Sequence, residues 1–314
     1  MSCLHVRDLS VCYPSPRGEV RAVDGVSLDH REQETLALIG ETGCGKTTLA
    51  KAILRLTPED AAVRGRVEFR GRDVLGLTER ELAEIRGKEI GIVFQNPALA
   101  LNPVHTIGKQ VAEPLRIHER IGSREAAVRA VDSLERLGLQ DVEEQTRRYP
   151  FQLSGGMNQR VVIAASMILS PKLLIADEPT KGLDQKNRQS VVEELQLIKR
   201  RSNSSILLIT HDLRLAKGVA DRVAIMYAGM IVEVSPAEAF FREQLHPYSQ
   251  ALMKSLPDGG FQPIPGAPPA MTLPPSGCRF HPRCAERREA CDEEIPADVH
   301  RGDRTVKCVL YAES

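Results

Sequence analysis

The stretch Gly40-Glu41-Thr42-Gly43-Cys44-Gly45-Lys46-Thr47 constrains this chain more than any other. It fits GxxxxGK[ST], follows the apolar run Leu36-Ala37-Leu38-Ile39, and leads through Thr48 into a helical pattern. Such a segment demands a strand, a tight glycine turn and a helix in succession. The glycines let backbone N–H groups turn inward around phosphate oxygens, and the helix N-terminus adds partial positive charge. Lys46 brings a point charge for β- and γ-phosphates, and the Thr47 hydroxyl is a hard oxygen ligand for Mg²⁺. Residues 40–48 therefore form the candidate triphosphate-binding set. Cys44 sits at the same helix start beside Lys46, and both features lower a thiol pKa. A reactive thiol, open to alkylation and shielded by bound nucleotide, is the expectation there.

A second apolar run, Leu173-Leu174-Ile175-Ala176, ends in the adjacent acids Asp177 and Glu178. Unpaired charge at the end of a buried strand is costly, and a metal ion removes the cost. Asp177 is read as a Mg²⁺ ligand, and Glu178 as the general base that activates an attacking water.

Around these segments, short apolar runs alternate with helical patterns up to about residue 256. Strands are predicted at 35–39, 90–94, 173–176, 206–210, 223–227 and 231–234. Helices are predicted at 46–56, 124–137, 158–169 and 187–201. Val128, Val131, Leu134 and Leu137 give the second helix its apolar repeat, with Ser123 as its cap, and Val191, Leu195 and Ile198 give the last one its stripe. The alternation predicts an α/β domain with a largely parallel sheet. From residue 257 to 275 the pattern breaks: seven of 19 residues are proline, which predicts an extended linker. Cys278, Cys284, Cys291 and Cys308 follow, four of the seven cysteines.

Lys plus Arg and Asp plus Glu both number 42, which argues against a nucleic-acid partner. No run reaches the ~20 apolar residues of a spanning helix, and the N-terminus lacks the pattern of a signal peptide. A cytosolic chain is expected, its membrane spans supplied by other subunits.

Leu153-Ser154-Gly155-Gly156-Met157-Asn158-Gln159-Arg160 resembles the LSGGQ signature of the ABC ATPases. The resemblance covers residues 3–256 and implies a P-loop ABC ATPase domain, with a mixed sheet and a helical subdomain at about 96–165. In that family Ser154, Gly155 and Gly156 would face the ATP held by a partner subunit. Tyr13 resembles the aromatic that stacks on adenine, and Gln95 the Q-loop glutamine that reaches Mg²⁺ and water. Asp184, in Gly182-Leu183-Asp184, resembles the D-loop acid, and His211 the switch histidine at the γ-phosphate. Mg²⁺ would be held through Thr47, Gln95 and Asp177, and the catalytic group would be Glu178, His211 and Gln95. Met157, Leu101-Asn102-Pro103 and His246-Pro247-Tyr248 resemble the importers of dipeptides, oligopeptides and nickel. The implied partners are a second ATPase chain, a paralogue rather than an identical copy, two transmembrane permease subunits and an extracytoplasmic solute-binding protein. The implied place is the cytoplasmic face of the cell membrane. A soluble ABC ATPase outside transport is the alternative. For residues 257–314 a small Cys-rich C-terminal domain is expected. Four thiolates suit Zn²⁺ or a four-iron four-sulfur cluster, and a tail of free thiols is the plain reading beside them. Gly277-Cys278-Arg279-Phe280-His281-Pro282-Arg283-Cys284 resembles the tail of the peptide-importer ATPases, some of which carry the cluster.

Overall fold

A computed structural model describes residues 2–181, 185–201 and 203–312. The chain forms two compact units: one of Arg31–Thr35 with Gly76–Ile209, the other of Ser2–His30, Leu36–Leu75 and everything from Thr210 onward.

The second unit begins with a four-stranded sheet. β1 (Ser2–Tyr13), β2 (Val20–Arg31), β4 (Ala62–Phe69) and β5 (Arg72–Asp73) form a sheet of order β2-β1-β4-β5. A break in register between Arg7 and Ser10, where Asp8 takes φ 46°, twists β1 against β4. None of these strands was predicted in position: β1, β2 and β4 mix charged and apolar residues, and β5 is only Arg72–Asp73. β3 (Thr35–Ile39) is apolar and buried throughout, as predicted, and runs parallel to β9 (Arg222–Tyr227). β9 returns antiparallel through β10 (Met230–Pro236), by a turn at Ala228 and Gly229, both with positive φ. The ladder continues into the tail, where β12 (Arg304–Val306) pairs with β10 and with β11 (Val299–Arg301). The core here is aromatic. Tyr227 lies 4.5 Å from Tyr248 and 5.3 Å from Phe280, ring centre to ring centre, all three buried.

In the first unit β6 (Ile90–Val93), β7 (Leu173–Asp177) and β8 (Ser205–Thr210) are parallel, in the order β8-β7-β6. β7 and β8 are buried at every residue, the mark of a parallel strand covered on both faces. Helices Ile107–His118, Ser123–Arg136 and Gly155–Met167 make up the helical part. The predicted stripe of Ser123–Arg136 is corrected by the structure. The buried residues are Ala126, Ala130 and Leu134, spaced by four, whereas Val128 is 57% exposed. A three-residue spacing drifts round a helix of 3.6 residues per turn, and a four-residue spacing holds one face better. Nor does Ser123 cap this helix: Gly122 precedes its first turn, without a side-chain bond. On Gln185–Arg201 the predicted stripe of Val191, Leu195 and Ile198 is buried.

Glu233 in β10 ties the strand ladder to the next helix. Its buried carboxylate accepts from the N–H groups of Leu245 (3.1 Å) and His246 (2.9 Å) and pairs with Arg304 of β12 at 3.2 Å. His246 then caps helix Pro247–Lys254, its Nδ1 accepting from the Tyr248 N–H at 3.0 Å. Burial holds the imidazole neutral, with a pKa pushed down to about 3. Between about pH 6.5 and pH 3 the unfolded chain therefore takes up a proton that the folded chain refuses. Stability falls with falling pH in that window, by at most about 1.4 kcal/mol per pH unit from this group. The urea midpoint of His246→Asn is expected to lie below wild type at pH 7.5 and to converge on it toward pH 4. A gap that stays constant over this range contradicts a buried neutral imidazole.

Candidate active site

Two backbone contacts shape the phosphate-binding turn. A Cβ on Gly40 would stand 2.1 Å from the Met226 carbonyl oxygen, and one on Gly45 would stand 2.1 Å from that of Ala22. Gly45 also has φ 110°, a conformation that a side chain opposes. Only glycine lets the turn press against its neighbours at these points. Helix Lys46–Ile53 starts immediately afterwards with no side-chain cap, and its N-terminus adds partial positive charge at the turn. Lys46 is buried, and its Nζ donates to the carbonyl oxygens of Gly40 (2.7 Å) and Glu41 (3.0 Å). The ammonium is thereby fixed over the turn. Thr42 and Gly43 are exposed, and Thr47 and Thr48 are half-buried in the first helical turn.

Cys44 departs from expectation. Its Sγ lies 3.8 Å from Lys46 Nζ, as the sequence predicts, but the residue is only 5% exposed. Burial raises the thiol pKa and outweighs the lowering by Lys46. The neighbouring charge was legible in the sequence and the burial was not.

The turn is held from behind by residues that sequence reasoning missed in this role. The Glu41 N–H donates to Tyr248 Oη at 3.1 Å, across 207 positions. The Glu41 carboxylate receives Arg283 Nη1 at 3.0 Å and Nη2 at 3.3 Å, across 242. No local pattern carries contacts of such span. In the same unit Tyr13 ends β1 half-buried, and His211 is exposed just after β8. Asp212, beside it, caps helix Leu213–Val219 by accepting from the N–H groups of Arg214 and Leu215.

In the first unit, Asp177 ends β7 at 3% exposure and Glu178 follows at 6%. Glu178 has φ 50°, left-handed for a residue with a side chain, and its N–H donates to the Ile209 carbonyl at 2.8 Å. The chain thus turns sharply where the general base was predicted, and backbone strain of this kind gathers at functional positions. Gln95 lies half-buried just past β6. Ser154 caps helix Gly155–Met167, its Oγ accepting from the Met157 N–H at 3.3 Å, with Gly155 exposed at the helix start. The predicted helix began at 158, and the observed one starts at Gly155, so both glycines of the signature lie in its first turn. Arg160 anchors this helix by pairing with Glu194 at 3.1 Å and donating to the Gly138 carbonyl at 2.8 Å. Burial lifts the Glu194 carboxyl to about 7 against the lowering by Arg160. Asp184, with Gly182 and Leu183, lies outside the described residues.

Thr47, Gln95 and Asp177 each carry a hard oxygen donor, the chemistry that suits Mg²⁺. The tail cysteines do not meet the corresponding test. The Cys278 N–H donates to the Cys291 carbonyl at 2.8 Å, so the tail folds back on itself. Burial nevertheless raises the thiol pKa of Cys278 and Cys284 and pushes that of Cys308 up to about 11. Among the described residues, no group of three or more Cys, His, Asp or Glu side chains is disposed to hold a metal ion. The iron–sulfur or zinc reading of Cys278, Cys284, Cys291 and Cys308 is therefore unsupported here.

Comparison with known proteins agrees with the fold. Residues 23–181 match the ABC transporter family model, and residues 232–291 match the model described as oligopeptide/dipeptide transporter, C-terminal region. A dipeptide transport ATP-binding protein of Bacillus subtilis is 40% identical over 98% of this chain and 94% of its own. An oligopeptide transport ATP-binding protein of the same organism is 41% identical over 93% and 84%. Among solved structures, a dimeric ATP-binding cassette in a post-hydrolysis state with ADP and Pi superposes with a TM-score of 0.68. It is 27% identical and covers 74% of this chain and 98% of that one.

The buried Cys44 generates a prediction opposite to the one from sequence. Iodoacetamide at pH 7.5 should modify Cys44 of the native chain at least about tenfold more slowly than a free thiol. Peptide mass spectrometry would read the rate, and labelling as fast as free cysteine contradicts the packing described.

Proposed function

The chain belongs to the ATP-binding proteins of ABC transporters, of the oligopeptide/dipeptide type, and from that premise we propose that it powers the import of dipeptides or oligopeptides. It is an ATPase. The peptide reading rests on one observation above others, the match of residues 232–291 to the C-terminal region of oligopeptide/dipeptide transporters. That segment includes β12's partner β10, the His246 cap and Tyr248, so it is built into the second unit.

In this reading Lys46 and the amides of residues 40–48 hold the phosphates, and Tyr13 stacks on the adenine. Thr47, Asp177 and Gln95 would hold Mg²⁺, which would supply positive charge to stabilise the phosphates. Glu178 accepts the proton of the attacking water and His211 orients that water, while Ser154, Gly155 and Gly156 face the nucleotide of a second ATPase chain, and Asp184 is assigned as the D-loop acid. Glu178 suits the base role because it follows the buried end of β7 at a left-handed turn of the backbone. Nothing in the reading is routed through a metal at the four cysteines.

The motion has to reach partners in the membrane, since no helix among the described residues is long and apolar enough to cross one. We assign that role to two permease subunits, supplied with peptide by an extracytoplasmic solute-binding protein. Leu99 at 85%, Val104 at 73% and Phe151 at 74% exposure offer apolar contacts in the unit that carries Gln95 and the signature.

Co-expression with its membrane partners and reconstitution into vesicles tests this directly. ATP should drive peptide accumulation, and peptide with its binding protein should stimulate hydrolysis. Glu178→Gln should lower hydrolysis by at least about 100-fold while ATP binding persists, in line with the loss of a general base. Hydrolysis at the wild-type rate in this variant contradicts the assignment of the base, and uptake indifferent to peptide contradicts the cargo.

A further inference from the structure

A carboxylate inside a phosphate-binding turn is an electrostatic liability, because Glu41 carries the sign of the ligand. The structure meets it with a cation from the far end of the chain. Arg283, in the short helical turn His281–Arg283, puts both terminal nitrogens on the Glu41 carboxylate, at 3.0 and 3.3 Å. The arginine side chain is 4% exposed and is locked from other sides. It donates to Tyr227 Oη at 3.2 Å and to the Pro265 carbonyl at 2.8 Å, and lies 5.8 Å from the Tyr227 ring centre. A bidentate arginine fixes the direction of a carboxylate as well as its charge.

A second strut leads from the same segment to the same turn. Arg279 pairs with Asp24 and donates to the Ala228 carbonyl. The next residue, Gly229, donates its N–H to the Cys44 carbonyl at 2.9 Å. Phe280 lies between the two arginines in sequence and is buried against Tyr227 and Tyr248, the latter accepting from the Glu41 N–H. The phosphate turn is thus gripped at Glu41 and braced at Cys44 by a segment about 240 residues downstream in sequence.

We propose that the C-terminal segment 279–283 sets the ATP affinity of the phosphate-binding turn, with Arg283 as the positioning residue that neutralises Glu41 and holds it back from the phosphates. Arg283 touches no reacting atom and acts through Glu41. The inference rests on residues 40–48 being the phosphate-binding turn and adds a control element to it.

The charge argument makes a prediction with a distinctive sign. In the full chain, Arg283→Gln should raise the Kd for MgATP about tenfold, an effect of the size of one charge-assisted contact. It should raise KM in parallel while kcat at saturating ATP stays within about twofold, since the base and the metal ligands are untouched. Adding Glu41→Gln to Arg283→Gln should bring the Kd back to within about threefold of wild type, because the uncompensated charge is gone. Melting temperatures recorded alongside separate folding from affinity. An unchanged Kd in Arg283→Gln overturns the proposal, and so does a double variant that binds no better than the single. A Kd that rises only in proportion to a fall in melting temperature also overturns it, because the tail would then be merely structural. Failure of the wild-type chain to bind MgATP would instead remove the phosphate-turn reading itself.

Discussion

Everything in this molecule is subordinate to a close approach of backbone to backbone at the end of β3. The turn at residues 40–45 exists because Gly40 and Gly45 lie where any side chain would collide with the carbonyls of Met226 and Ala22. That contact lets the chain reverse tightly enough for Lys46 to begin a helix with its ammonium over the loop carbonyls. β9 supplies both the parallel partner of β3 and the Met226 carbonyl, so the sheet is also the mould for the turn. The aromatic cluster of Tyr227, Tyr248 and Phe280 then fills the space behind, and Tyr248 and Arg283 fix Glu41 from two directions.

The acid side of the chemistry follows a similar rule. β7 is buried at every position, and such a strand can end in two acids only where the chain turns at once. Glu178 makes that turn with a left-handed backbone and a hydrogen bond to Ile209. The signature run is likewise a cap first: Ser154 closes the start of a helix that Arg160 and Glu194 pin. In both places, the fold's local requirement and the family's functional motif fall on the same residues.

Much of this was legible in the residues. The parallel strands β3, β6, β7 and β8 and the stripe of Val191, Leu195 and Ile198 could be read because each is a short-range pattern of apolar side chains. The phosphate turn was readable because its glycines have a local steric cause. Strands β1, β2 and β4 escaped, since half-exposed strands alternate polar and apolar residues and resemble loops. The Val128 stripe failed because three-residue spacing is satisfied nearly as well by a helix rotated away from the core. Cys44 failed because charge is visible in a sequence and depth is not. Tyr248 and Arg283 were seen as family residues, but their grip on Glu41 joins positions more than 200 apart, which only a folded chain reveals.

The central claim is that a triphosphate is held by residues 40–48, with Lys46 as the decisive charge. Titration calorimetry of MgATP into the full chain, wild type against Lys46→Ala, tests it most directly. Losing two or more charge-assisted contacts to the phosphates should weaken binding by about 100-fold or more. Equal affinity in the two proteins would contradict the account at its root.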